Sequence, residues 1–189
     1  MIDPELALAA YRDAFQNMSV GAVVVPRALL PDVVAALRER MTMRPFHEHW
    51  LADRGRYGYC DDVDEPELYR VIERAVSFIA DARATIDRAR CLRLVHGDYS
   101  LLADDHDGEG DDRRIDATLD LSEGSSSEAQ VVYSLRGHNF FAVPQLSGSL
   151  ALCERRPGVR RYDRYLGFAL GERVVYRLRL SLIVREEPA

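Results

Sequence analysis

Residues Cys91–Ser122 read CLRLVHGDYSLLADDHDGEGDDRRIDATLDLS. The pattern predicts one long strand through Leu102, an acidic turn, and a second strand that opens at Arg113. Asp104, Asp105, His106 and Asp107 are four consecutive polar residues where an apolar run leaves a sheet, a place where rigid elements can support a metal or catalytic site. On a strand, Asp104 and His106 would point to the same face, so both could reach one cation. A hydrated acidic turn is the other reading, because Asp favours loops by bonding its own backbone.

Upstream of this stretch the chain reads as helical. Asp3–Asn17 has apolar residues at helical spacing with a Pro in the first turn, and Pro31–Met41 returns to that spacing through Val33, Val34, Leu37 and Met41. Between them GAVVVP, Gly21–Pro26, reads as a short strand. Thr42–Asp64 reads as short strands or loop, with His47 and His49 flanking Glu48 at a spacing that would suit a metal pair on a strand and a solvated polar loop otherwise. Glu65-Pro66-Glu67 opens the longest helix, predicted to run to about Ile86 with Asp64 as its N-cap.

Downstream the chain turns to strands: RIDATLDLS, AQVVYSL, NFFAVP, SLALCE, VRRYDRYL and RVVYRLRLSLIV, with EGSSSE as a flexible turn. In the last, Val175, Arg177, Arg179 and Ser181 alternate with Tyr176, Leu178, Leu180 and Leu182. Helices first and about seven strands afterwards predict a single domain over 1–189. In it a mainly helical buttress, 1–90, packs on the strands of a β-sandwich or jelly roll, 91–187.

Composition narrows the chemistry. All 25 basic residues are Arg and none is Lys, which removes Schiff-base catalysis and the GK[ST] phosphate loop. A net charge of −6 argues against a nucleic-acid partner, although Arg155, Arg156, Arg160, Arg161 and Arg164 form a local basic cluster suited to an acidic partner surface. Cys60, Cys91 and Cys153 are far apart and odd in number, so no disulfide framework is indicated. With no export-like N-terminus and no apolar run of spanning length, a cytoplasmic location and no membrane contact are expected. His96, in an apolar strand, reads as a satisfied core histidine.

The order of pieces, VVVPRALLPDVVAALRERM, a long helix, GDYSLL, an acidic turn, RRIDATLDLS, Phe141-Ala142-Val143-Pro144, GSLAL and then GER before a strand, resembles the iron(II)/2-oxoglutarate dioxygenases of the prolyl 4-hydroxylase type. That resemblance covers nearly the whole chain. It implies an α+β protein with N-terminal helices on a double-stranded β-helix. It also implies iron held by a His-x-Asp pair and a later His, and an Arg that binds the 2-oxoglutarate carboxylate. Three open metal positions are what such chemistry needs.

Carried onto this chain, the resemblance puts Ala103 where the first His belongs and Asp105 where the Asp belongs, with His106 as a displaced imidazole. Arg173 in GER matches the co-substrate Arg, Tyr99 would be its neighbour, and ten residues before Arg173 stands Asp163 in place of the second His. All five histidines precede GSLAL. Two classes of function therefore stand. One is an oxygenase using iron(II) and 2-oxoglutarate on a small molecule or peptide side chain, with Asp105, His106 and Asp163 near the metal. The other is a non-catalytic relative without cofactor that binds a ligand or a protein; self-association into a homodimer stays open in either case.

Overall fold

The structure, a computed structural model, describes residues 8–52, 55–101 and 113–186. Helix α1 spans Leu8–Gln16, α2 Pro31–Thr42 and α3 Pro66–Ala80. In α2 a Pro opens the first turn, Asp32 complements the helix N-terminus, and Val34, Leu37 and Met41 form the buried stripe. In α3 the stripe is Leu68, Ile72, Ala75, Val76 and Ile79.

Helix α3 ends at Ala80, short of the predicted Ile86. Asp81 takes a left-handed conformation and donates its N–H to the Ser77 carbonyl, and the chain turns into a strand at Arg83. The helix itself holds that strand. Ser77 Oγ accepts the Ala84 N–H at 2.9 Å, and the Glu73 carboxylate accepts the Ile86 N–H at 2.8 Å. At its other end the N-cap is Glu65, not Asp64, and makes no side-chain cap; its carboxylate takes a bidentate pair from Arg40 instead.

The strands, in chain order, are β1 Ala22–Val25, β2 His47–Leu51, β3 Gly55–Cys60, β4 Arg83–Leu94, β5 Tyr99–Ser100, β6 Arg113–Asp120, β7 Ser125–Leu135, β8 His138–Leu146, β9 Leu150–Arg155, β10 Val159–Asp163 and β11 Val175–Arg185. The predicted flexible turn EGSSSE is in part strand, since Ser125 and Ser126 pair with Leu146 and Gln145. Three strands, β1 to β3, and most of β4 precede residue 91.

All pairings are antiparallel, and the strands join in the order β1-β9-β6-β11-β4-β3-β5-β10-β7-β8, with β2 added on β3. The sheet folds back on itself at the short β3–β5 junction, where Gly55 pairs with Ser100 and Arg56 with Tyr99. Its two arms then face each other. Ala22, Ala151 and Cys153 of one arm share a buried cluster with Val131, Tyr133, Val143 and Val159 of the other. This is the antiparallel, nearly closed arrangement of a jelly roll.

The outer face of the first arm is covered by helices. Leu37, Met41, Ile72, Val76 and Ile79 join Ile115, Ala117, Leu119, Leu178, Leu180 and Leu182 in one core. Strand β11 lies between β4 and β6, paired over most of its length on both edges. One face of β11 therefore meets helices, and the other, carrying Val175, Arg177 and Arg179, looks into the barrel.

Candidate functional site

The barrel interior holds charge where a core would be apolar. Asp163, the last residue of β10, is completely buried. Arg177 Nη1 donates to its Oδ1 at 2.8 Å, and Arg179 Nη2 and Ser100 Oγ both donate to its Oδ2. The Asp163 N–H donates back to Ser100 Oγ at 2.9 Å. Arg177 uses its second nitrogen on the Ala129 carbonyl, 2.7 Å away. Four strands, β5, β7, β10 and β11, are thus tied at one point, across the space between the two arms.

A second cluster lies beside the first. Asp116 of β6 accepts Arg155 Nη1 at 2.8 Å and Arg161 Nη1 at 2.6 Å, and the Tyr133 hydroxyl bonds it as well. The two carboxylates respond to burial differently. For Asp163 burial favours the neutral acid, but the charges of Arg179 and Arg177 and the Ser100 hydrogen bond outweigh it and hold the carboxyl well below the usual range. For Asp116 burial dominates over its Arg partners and raises the carboxyl. Burial and the charge of Arg179 together push the Arg161 guanidinium down.

The basic cluster foreseen at 155–164 is therefore split by strand alternation. Arg155 and Arg161 turn inward to Asp116, while Arg156 bonds Glu154 and the Ser19 carbonyl, and Arg164 bonds Gln130. It is not one continuous surface for an acidic partner.

The other expected site residues are dispersed. Arg173 is exposed ahead of β11, and its guanidinium donates to the carbonyls of Leu170 and Ala169 at 3.0 and 3.1 Å, closing the short 3-10 turn Phe168–Leu170. Tyr99 is half-buried, donates its hydroxyl to the Ala52 carbonyl at 3.1 Å, and lies 6.4 Å from the Tyr165 ring. Asp105 and His106, with Ala103 and Asp104, lie outside the described residues.

Three of the described histidines lie against aromatic rings. His47 and His49 stand on strand β2, not a loop, facing Tyr59 and Tyr57 across the ladder at 5.6 and 4.7 Å. His96 is not in a strand: β4 ends at Leu94, and His96 sits in a turn closed by Asp98, whose carboxylate accepts the Val95 N–H at 2.9 Å. Its ring is 4.4 Å from that of Phe168 and its Nε2 has no partner.

Among the described residues, no group of three or more His, Cys, Asp or Glu side chains is placed to hold a metal ion. Asp163 does not fit a ligand role either. Both its oxygens already bond guanidiniums, and a cation there would face Arg177 and Arg179 at hydrogen-bond range. Of the residues that build the interior, Arg177, Arg179, Ser100 and Asp116 carry no site role in the sequence reading, and Arg161 enters it only as part of the basic cluster. The alternation of β11 was their one signal, since it separates Arg177 and Arg179 from the leucines.

No family model and no curated protein matches the sequence. Solved structures do match over nearly the full chain. A Pseudomonas putida prolyl-4-hydroxylase is 17% identical, covers 95% of this chain and 99% of its own, and superposes with a TM-score of 0.68. The non-heme α-ketoglutarate-dependent carbocyclase SnoK of nogalamycin biosynthesis is 16% identical over 97% and 86%, with a TM-score of 0.70. HygX from Streptomyces hygroscopicus, solved with nickel and 2-oxoglutarate bound, is 13% identical over 97% and 87%, with a TM-score of 0.62. The strand order, the fold-back at β3–β5 and these superpositions together give the chain the fold of the 2OG-Fe(II) oxygenases.

Proposed function

We propose that this protein is an iron-independent, non-catalytic relative of those oxygenases, a jelly-roll module that binds its ligand without redox chemistry. One observation carries the reading: Asp163, the residue that the resemblance aligns with the second metal-binding His, is held by Arg177, Arg179 and Ser100. A ligand carboxylate must give an electron pair to the metal, and three hydrogen bonds, two of them from guanidiniums, already hold both oxygens of this one. Expelling the guanidiniums would leave two buried positive charges without a counter-ion, at a cost of several kcal/mol.

The oxygenase reading keeps one supporting observation, the fold shared with proteins that bind 2-oxoglutarate and metal. The two readings part on one measurement. Chelator-stripped protein is titrated anaerobically with iron(II) and 2-oxoglutarate while the visible charge-transfer band of an oxoacid on iron is monitored. The iron-independent reading expects no band and no retained metal. A band that is lost on His106→Ala or Asp163→Ala would establish a working centre and sink it.

A further inference from the structure

Among the described residues, the two arms of the sheet are joined through β3, and by little pairing. On one edge β3 meets β4 over three register pairs, Gly58 with Arg93, Tyr59 with Leu92 and Cys60 with Cys91. On the other it meets β5 over two, Gly55 with Ser100 and Arg56 with Tyr99. By contrast β4 pairs with β11 all the way from Val175 to Arg185. The β3–β4 ladder is thus a thin join between better-paired parts, and it can open locally while the rest stays folded.

Its last pair consists of two thiols. Directly opposed residues of an antiparallel ladder stand about 4.5–5.5 Å apart at Cα with side chains on the same face, and a disulfide accepts about 4.4–6.8 Å. Cys60 and Cys91 are 2% and 0% exposed and share the core under α3 with Leu68, Ile72 and Val76. Neither sulfur is held firmly: Cys60 Sγ donates weakly to the Asp62 carbonyl over 3.6 Å, and Cys91 Sγ to that of Leu92 over 3.8 Å. A bond between them would close a loop around helix α3. Cys153 has no such neighbour, since its register partners are Ala22 and Asp116.

We propose that Cys60 and Cys91 are a redox-sensitive pair, which a small-molecule disulfide converts to a cross-strand disulfide that clamps β3 to β4. The conversion is two thiol–disulfide exchanges. When the ladder opens, Cys60 at the strand end loses its proton and attacks one sulfur of the small disulfide, expelling the other half as a thiolate. Closing brings Cys91 Sγ onto the Cys60 sulfur, where it displaces the second half. Two protein thiols are oxidised, the small disulfide is reduced to two thiols, and these take up the two cysteine protons. Burial raises the Cys91 thiol to about 12, so the closed ladder protects the reduced pair and oxidation follows opening. The proposal is independent of the iron question, because neither thiol bonds Asp163 or the residues that hold it.

The test equilibrates the full chain under native conditions in buffers of graded reduced-to-oxidised glutathione ratio. Remaining thiols are then blocked, and linked peptides are mapped by mass spectrometry. The expected result is a Cys60–Cys91 link that forms and reverses across the ratios, with Cys153 left free. The oxidised form should melt about 5–10 °C higher and return to the lower midpoint on reduction. Cys60→Ala and Cys91→Ala should each lose the link and the shift, and Cys153→Ala should keep both. No Cys60–Cys91 peptide at any ratio overturns the proposal, as does a link to Cys153 or between two chains in its place. A link already complete at the most reducing ratio overturns its reversibility, and a link without a rise in the midpoint overturns the clamp. Wild-type mapping alone decides the pairing, even if Cys91→Ala fails to fold.

Discussion

Asp163 decides more of this interior than any other side chain. Its replacement by Asn keeps the shape but removes the charge that two buried guanidiniums share, so Asp163→Asn should lose about 3–5 kcal/mol of stability in urea unfolding. The pH dependence follows from the same pair. A carboxyl held lower in the folded than in the unfolded protein contributes stability above its unfolded value, near pH 4, and that contribution is lost as pH falls toward its folded value. Asp116, raised by burial, acts in the opposite sense: it weighs against the fold as pH rises through its folded value. Unfolding midpoints measured from pH 2.5 to 7 should therefore rise with pH less steeply in Asp163→Asn than in wild type; equal slopes would show that Asp163 is not the titrating group. Counting back from Arg173 was enough to find Asp163 in the sequence. Its partners were not legible, because Arg177 and Arg179 in VYRLRLSL look like the solvated face of a half-exposed strand, and only the placement of β11 between β4 and β6 turns that face inward.

At the level of elements, β11 and helix α2 could be read from periodicity, and β1 and β9 from short apolar runs. What pattern could not locate were the turns made by single residues. The Asp81 reversal ended α3 six residues early, and the Asp98 turn divided what looked like one strand into β4 and β5. Gly55 is the most exacting of these positions. Its φ is +145°, and a Cβ there would stand 2.6 Å from the Tyr99 carbonyl oxygen and 2.9 Å from the Ser100 Cα. Gly55→Ala is expected to cost at least about 2 kcal/mol by thermal unfolding and to loosen β5, the strand that brings Ser100 to Asp163. Faster amide exchange at Ser100 and Asp163 would report that loosening; unchanged exchange would place the strain elsewhere.

Across the whole molecule, the three thiols report whether the two arms stay closed. Cys60, Cys91 and Cys153 are all buried, and Cys60 and Cys91 face each other across the β3–β4 ladder. Burial pushes the Cys91 thiol up to about 12 and raises Cys153 as well, so neither supplies thiolate near neutrality. A thiol reagent at pH 8 should label the native protein only at the rate of its opening, and should titrate all three thiols promptly in denaturant. Fast labelling of the native state would mean that the sheet breathes at β3–β4. The position of β11 has a consequence for how the chain is made. Among the described strands β11 comes last in chain order yet fills the middle of the sheet, so until residue 185 is available β4 and β6 present two bare edges and the apolar stripe of α3 lacks Leu178, Leu180 and Leu182 beneath it. The nascent sheet therefore stays open at its centre until β11 has been made, and its two halves join in a late step.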